Sequence, residues 1–264
     1  MHSTKTITRK VSLAILAIFL TMAMSKVSNA QRQEGSVLLT STEFTIKPGH
    51  DTKFREGVKA WKACYIENGG TQNWHMWSRL QGVGNVYSLT SFSPNWADFD
   101  EVDEAGRNCR DISRELINPH VESIKRLVSY TMPSNSNSNP WTPEIKVVST
   151  TYWTVNNSVK FMEAINEVHN VLKEKEGNIR SYWYNTVGGG PDDVHYWLAT
   201  PYKNFAQMDE VVPGVWTLVE SAKGKRNSDK IRDTLRESID KQWSYIFTFV
   251  EDLSRIPGED TASE

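Results

Sequence analysis

Trp96-Ala-Asp-Phe-Asp-Glu-Val102 and Phe205-Ala-Gln-Met-Asp-Glu-Val211 read as two copies of one segment, 109 residues apart. Upstream, Lys53-Phe54 matches Lys160-Phe161 at an offset of 107. The apolar positions that follow keep that offset, with Phe54, Val58, Trp61 and Tyr65 against Phe161, Ile165, Val168 and Leu172. Both sets are spaced four, three and four, which is one face of an α-helix. Tyr87-x-Leu89 matches Tyr196-x-Leu198, and Arg110-Asp111-x-x-Arg114-Glu115 matches Arg232-Asp233-x-x-Arg236-Glu237 at an offset of 122. The growing offset implies a two-residue gain in the Gly-rich loop 187–193 and a 13-residue insertion around 212–229. Matches in one order, with the gains confined to loops, predict two homologous halves.

Each half reads as strand, helix, two strands joined by a Gly-rich turn, helix, strand. The strands are expected at 37–46, 73–80, 85–92 and 120–131, then at 145–154, 179–186, 193–200 and 243–251. The helices are expected at 51–68 and 105–118, then at 158–175 and 227–240, with Gly69-Gly70 and Gly177 as stops. This is the β-α-β-β-α-β unit of ferredoxin-like folds. The predicted class is α+β, with repeats at 31–132 and 144–254, a flexible polar linker at 133–143 and a disordered tail at 255–264.

The chain has 264 residues, 38% of them hydrophobic, with ten Trp and a formal charge of −2. Residues 1–30 carry four of the 30 basic side chains and no acid, leaving 26 basic against 32 acidic elsewhere, a charge of −6. A mildly acidic body argues against nucleic-acid and anionic-membrane partners, which need a concentrated basic face. The N-terminus has three basic residues by position 10, an apolar run from Val11 to Met24 and the small-x-small stretch Ser28-Asn29-Ala30. This is the layout of a secretory signal peptide over residues 1–30. Its apolar core, about 14 residues, is short of the ~20 that span a bilayer. The expected product is exported, periplasmic or extracellular, and free of the membrane after cleavage.

The run Glu43-Phe-Thr-Ile-Lys-Pro-Gly49, followed by an amphipathic helix containing Phe54 and Trp61, resembles the dimeric α/β-barrel superfamily. That group includes antibiotic-biosynthesis-type monooxygenases, NIPSNAP-like proteins and haem-handling branches. The second copy departs from the pattern, with Thr154-Val-Asn156 in place of Lys-Pro-Gly. The resemblance implies that the two ferredoxin-like halves pack their open sheet faces together into one intramolecular barrel. In such a unit the two helices run antiparallel, so Cys64 near the end of one and Cys109 near the start of the other are neighbours. Two readings stand for them: a disulfide, as export allows, or a pair of buried thiols.

Alternation places Trp74, Met76 and Ser78 on one face of the second strand and His75, Trp77 and Arg79 on the other. Giving the more apolar face to the helices turns His75, Trp77, Arg79, Tyr182 and Tyr184 into the barrel. His195 and Trp197 share one face of the partner strand. The reading assigns His75 and His195 to proton transfer or haem ligation, and Trp77, Arg79, Tyr182, Tyr184 and Trp197 to ligand binding. No metal motif occurs and no cofactor is expected, with haem held as an alternative. Three functions remain open: a binder of a small apolar or aromatic molecule, a cofactor-independent monooxygenase or isomerase, and an interaction module with a filled barrel. The insertion at 212–229 is read as a solvated loop, with a lid over the pocket as the alternative.

Overall fold

The structure, a computed structural model, describes residues 32–190 and 192–256. The signal-peptide reading of residues 1–30 and most of the expected tail lie outside the described residues. Among the described residues no helix is long and apolar enough to cross a membrane.

Eight strands close into a barrel, and every pairing is antiparallel. They are β1 (Leu38–Ile46), β2 (His75–Arg79), β3 (Asn85–Ser93), β4 (Val121–Thr131), β5 (Val147–Val155), β6 (Tyr182–Thr186), β7 (Tyr196–Tyr202) and β8 (Ile239–Phe249). The order around the barrel is β1-β3-β2-β8-β5-β7-β6-β4. The first four strands therefore pair as β4-β1-β3-β2 and the last four as β8-β5-β7-β6. Short seams join these sheets, with Trp77–Arg79 along Phe247–Phe249 on one side and Ser129–Thr131 along Tyr184–Thr186 on the other. Each half also shifts register at one matching place, Thr45/Ile46 in β1 and Thr154/Val155 in β5.

Helices cover the outside. In the first half α1 (Asp51–Glu67) buries Phe54 and Val58 against Ile46, Met76 and Tyr87. In the second half α3 (Ser158–Glu176) buries Phe161 and Ile165 against Trp153, Val155 and Trp183. Gly177, at φ 76°, ends α3 in the left-handed conformation that a Cβ disfavours. Cys64 and Cys109 form a disulfide that ties α1 to α2 (Glu104–Asn108).

Four expectations need correction. The helix expected at 105–118 is broken, because α2 gives way to the short helix Arg110–Ile112 and then to a π-helical turn at Ser113–Ile117. The Leu116 carbonyl there comes so close to Gly57 of α1 that a Cβ would stand 2.1 Å from its oxygen. The second half has Ala164, itself buried, at the matching helical position. The insertion is not a loop. It forms α4 (Val215–Lys223), which seats Val219 against Val168, Val171 and Leu172, and Gly224 then turns the chain into α5 (Lys225–Glu237). The last strand starts at Ile239, four residues before its expected start, because α5 stops at Glu237. The linker, finally, is pinned rather than loose. Ser136 accepts from the Trp183 amide, Asn137 donates its amide to the Ser181 carbonyl and Ser138 donates to Asn178. Ser and Asn side chains bond readily to backbone, so a polar run can hold a fixed path.

Candidate functional site

Inward-facing residues of seven strands meet inside the barrel in one apolar cluster around Leu39, Trp77, Val148, Tyr184, Trp197 and Phe247, and β3 adds the polar Ser88 and Thr90 to the same interior. The register sorts them into rows. One row across the first half runs Lys125, Glu43, Ser88, Trp77, and the next runs Leu127, Ser41, Thr90, His75. The matching rows of the second half are Trp243, Tyr152, Trp197, Tyr184 and Tyr245, Thr150, Ala199, Tyr182. The first of these is a continuous stack. Its centroid spacings are 5.6 Å from Trp243 to Tyr152, 5.9 Å from Tyr152 to Trp197 and 3.9 Å from Trp197 to Tyr184.

The stack fills most of the second half's share of the interior. A cavity of about 80 Å³ is left, lined on one side by Ser41, Glu43, His75, Ser88 and Thr90 and on the other by Tyr152, Tyr184, Trp197 and Phe247. Trp141 of the linker also lines it, with its ring 5.9 Å from Trp77 and 5.2 Å from Tyr182. The chain on either side of Trp141 is fixed. The Tyr182 hydroxyl donates to the Asn139 carbonyl at 2.9 Å, and the Lys146 amide donates to the Tyr202 carbonyl at 3.0 Å. Trp141 itself, between Pro140 and Pro143, is held by ring contacts, with no hydrogen bond among the described residues.

Most polar groups of the wall are satisfied by one another. Ser41 and Ser88 hydroxyls lie 3.2 Å apart, and the Trp77 indole donates to Thr90 at 3.1 Å. Glu43, His75 and the Tyr184 hydroxyl are exceptions. All three line the cavity, and none of these side chains has a hydrogen-bond partner among the described residues. Burial pushes the Glu43 carboxyl above its usual range, against the pull of Arg79 and Lys125. Burial pushes the His75 imidazole down, so it is neutral near pH 7 and able to accept a proton. Burial also raises the Tyr152 and Tyr184 phenols, which stay protonated.

Of the residues singled out in the sequence, His75, Trp77, Tyr184 and Trp197 line the cavity. Tyr182 stands beside it under Trp141. Two do not reach it. The Arg79 guanidinium lies 4.5 Å over the Tyr245 ring and donates to the Val83 carbonyl. His195 precedes β7 by one residue, and its Nδ1 accepts from the Val155 amide at 3.0 Å, at the register shift of β5. His195 is thus committed to the backbone. Glu43 and Trp141 belong to the site but were not singled out.

A haem does not fit this interior. The space facing His75 is about half of the ~150 Å³ that accommodates benzene, and a porphyrin is several times larger than benzene. Among the described residues no three His, Cys, Asp or Glu side chains gather as a metal site.

No protein-family model and no curated protein matches the sequence. Solved structures do match in shape. A candidate monooxygenase from Fusobacterium nucleatum subsp. nucleatum superposes with a TM-score of 0.50 at 12% identity, over 83% of this chain and 94% of that one. A second candidate monooxygenase, from Lactobacillus acidophilus, superposes with a TM-score of 0.50 at 11% identity, over 82% of this chain and 94% of that one. At such identities the likeness speaks to architecture alone. The chain has the dimeric α/β-barrel fold.

Proposed function

We propose that the protein is exported and binds one small apolar or aromatic molecule inside its barrel. The observation that carries this reading is the cavity: a partly enclosed, largely apolar and aromatic space with a few convergent polar groups, as ligand sites generally are. The signal-peptide pattern of residues 1–30 supports export. The barrel is read as a tandem duplication of one ferredoxin-like unit, with repeats at 31–132 and 144–254. The equal strand orders and matching register shifts of the two halves support that origin.

At about 80 Å³ the space takes a handful of non-hydrogen atoms, so a ring-sized ligand has to displace Trp141. Native mass spectrometry of the wild type and of Trp141→Ala, each incubated with phenol or toluene, tests the reading. A one-to-one adduct is expected, with higher occupancy in Trp141→Ala. The absence of any adduct, with either probe in either protein, would overturn it.

A second reading is favoured by a specific pair. His75 and Glu43 in one cavity are the acid–base equipment of a cofactor-independent monooxygenase or isomerase, with neutral His75 as proton acceptor. Under it, His75→Ala abolishes turnover of the bound molecule and leaves its affinity largely intact.

A further inference from the structure

We propose that the cavity selects a neutral ligand bearing a hydroxyl group, a small alcohol or phenol, and that Glu43 anchors this hydroxyl. The proposal rests on the reading of the barrel interior as a binding site and adds the chemistry of the occupant.

Hydrogen-bond accounting comes first. Ser41 is matched with Ser88, and Thr90 takes the Trp77 indole and reaches the His75 carbonyl at 3.5 Å. The wall groups left without a partner are the Glu43 carboxyl, the His75 imidazole, the Tyr184 hydroxyl and the Trp141 indole, and of these the Glu43 carboxyl is the strongest acceptor for a ligand hydroxyl. A carboxyl in an apolar enclosure with nothing to bond to costs free energy that a ligand can recover. In either protonation state it keeps an acceptor oxygen for a hydroxyl donor.

Charge comes second. The cations nearest Glu43 are already engaged. Lys125 pairs with Asp193 at 2.8 Å, and Arg79 is stacked on Tyr245 and bonded to the Val83 carbonyl. Both still act on Glu43 through space, although burial outweighs their pull, and a cationic ligand would add a further positive charge beside them while losing its own hydration among the aromatic walls. An anion would meet the carboxylate directly. A neutral molecule is what remains.

Shape comes third. Beyond the polar residues the wall is Trp77, Tyr152, Tyr184, Trp197 and Phe247, which suits a hydrocarbon body. The Trp141 indole, T-shaped on Trp77 at an interplanar angle of 86°, already shows an aromatic ring docked against this wall. A ligand ring that displaces it can settle there with its hydroxyl directed inward.

Calorimetric titration with phenol and with toluene, which exchanges the hydroxyl for a methyl at nearly constant shape, tests this. The wild type is expected to bind phenol at least about tenfold more tightly than toluene, since a site built to bond a hydroxyl rejects the analogue lacking it. Glu43→Leu should bring the ratio close to one. Glu43→Gln, which keeps an acceptor oxygen, and His75→Phe should preserve a clear phenol preference. Glu43→Met replaces the leucine variant if circular dichroism shows that protein unfolded. Equal affinities in the wild type would overturn the proposal and leave the cavity reading standing. So would a ratio unchanged in a folded Glu43→Leu or Glu43→Met protein. Failure of both probes to bind either the wild type or Trp141→Ala would overturn the cavity reading and this proposal together.

Discussion

The two halves of the barrel set the same register positions facing one another and fill them with opposite chemistry. Where the second half has Trp243, Tyr152, Trp197 and Tyr184, the first has Lys125, Glu43, Ser88 and Trp77. The exchange of Ser88 for Trp197 is the largest in volume, and it decides which side of the barrel is solid and which is hollow. The exchange of Glu43 for Tyr152 decides which side carries a carboxyl. One half acts as the packed wall against which the other half's polar groups are held. A solid side and a hollow side are thus combined in one barrel, divided along its seams.

The largest effect is expected from breaking the solid side. Trp197→Ala removes the middle of the ring stack and the indole bond to Ser129 at 3.0 Å. A loss of about 3–5 kcal/mol is expected from urea unfolding. The first half relies on a different device. Reducing Cys64–Cys109, or replacing both with Ser, reopens a loop of 45 residues and should cost about 4 kcal/mol in the chain-entropy model. The tie should matter to α1 and α2, so hydrogen exchange should rise there before it rises in α3.

A smaller asymmetry concerns acid. His169 of α3 is buried edge-on to Trp183, 3.2 Å from the Asn135 amide, and burial brings its imidazole down to about 4. The matching position of α1 is Lys62, which donates to the Ser254 carbonyl. A histidine whose folded value lies below its unfolded one near 6.5 favours the fold in its neutral form. Its contribution is complete above pH 6.5 and lost as pH falls towards 4, about 3 kcal/mol in all. The difference in urea midpoint between wild type and His169→Asn should therefore change sharply between pH 7 and pH 4. A constant difference would place the acid response of the fold elsewhere.

Much of this arrangement was legible in the residues. Alternation in 73–80 and 179–186 separates Trp74, Met76 and Trp183, which pack under the helices, from His75, Trp77 and Tyr184, which face inward. Period-two patterning is a local property, so it survives without knowledge of the partner strands. His195 was misplaced because alternation was extended one residue beyond the start of β7, to a side chain that bonds the β5 backbone instead. Glu43 lies two residues from Ser41 on the inward face of β1, and the signal for it was the same alternation, left unapplied to that strand. Trp141 carried no local signal at all. It follows a run of Ser and Asn whose bonds to Ser181, Asn178 and Trp183 are long-range, and composition does not reveal long-range bonds.

The two seams have a kinetic meaning. Each half's sheet ends in strands whose outer edges, β2 and β4 on one side, β8 and β6 on the other, pair only with the other half. In a barrel made from two separate chains, closing those seams is a second-order event governed by dilution. Here both edges travel on one polypeptide, and the linker keeps them at a high effective concentration. Barrel closure is first-order in this protein, so its unfolding midpoint should not move when the sample is diluted a hundredfold. Neither sheet is left waiting with an open edge that a neighbouring molecule could take.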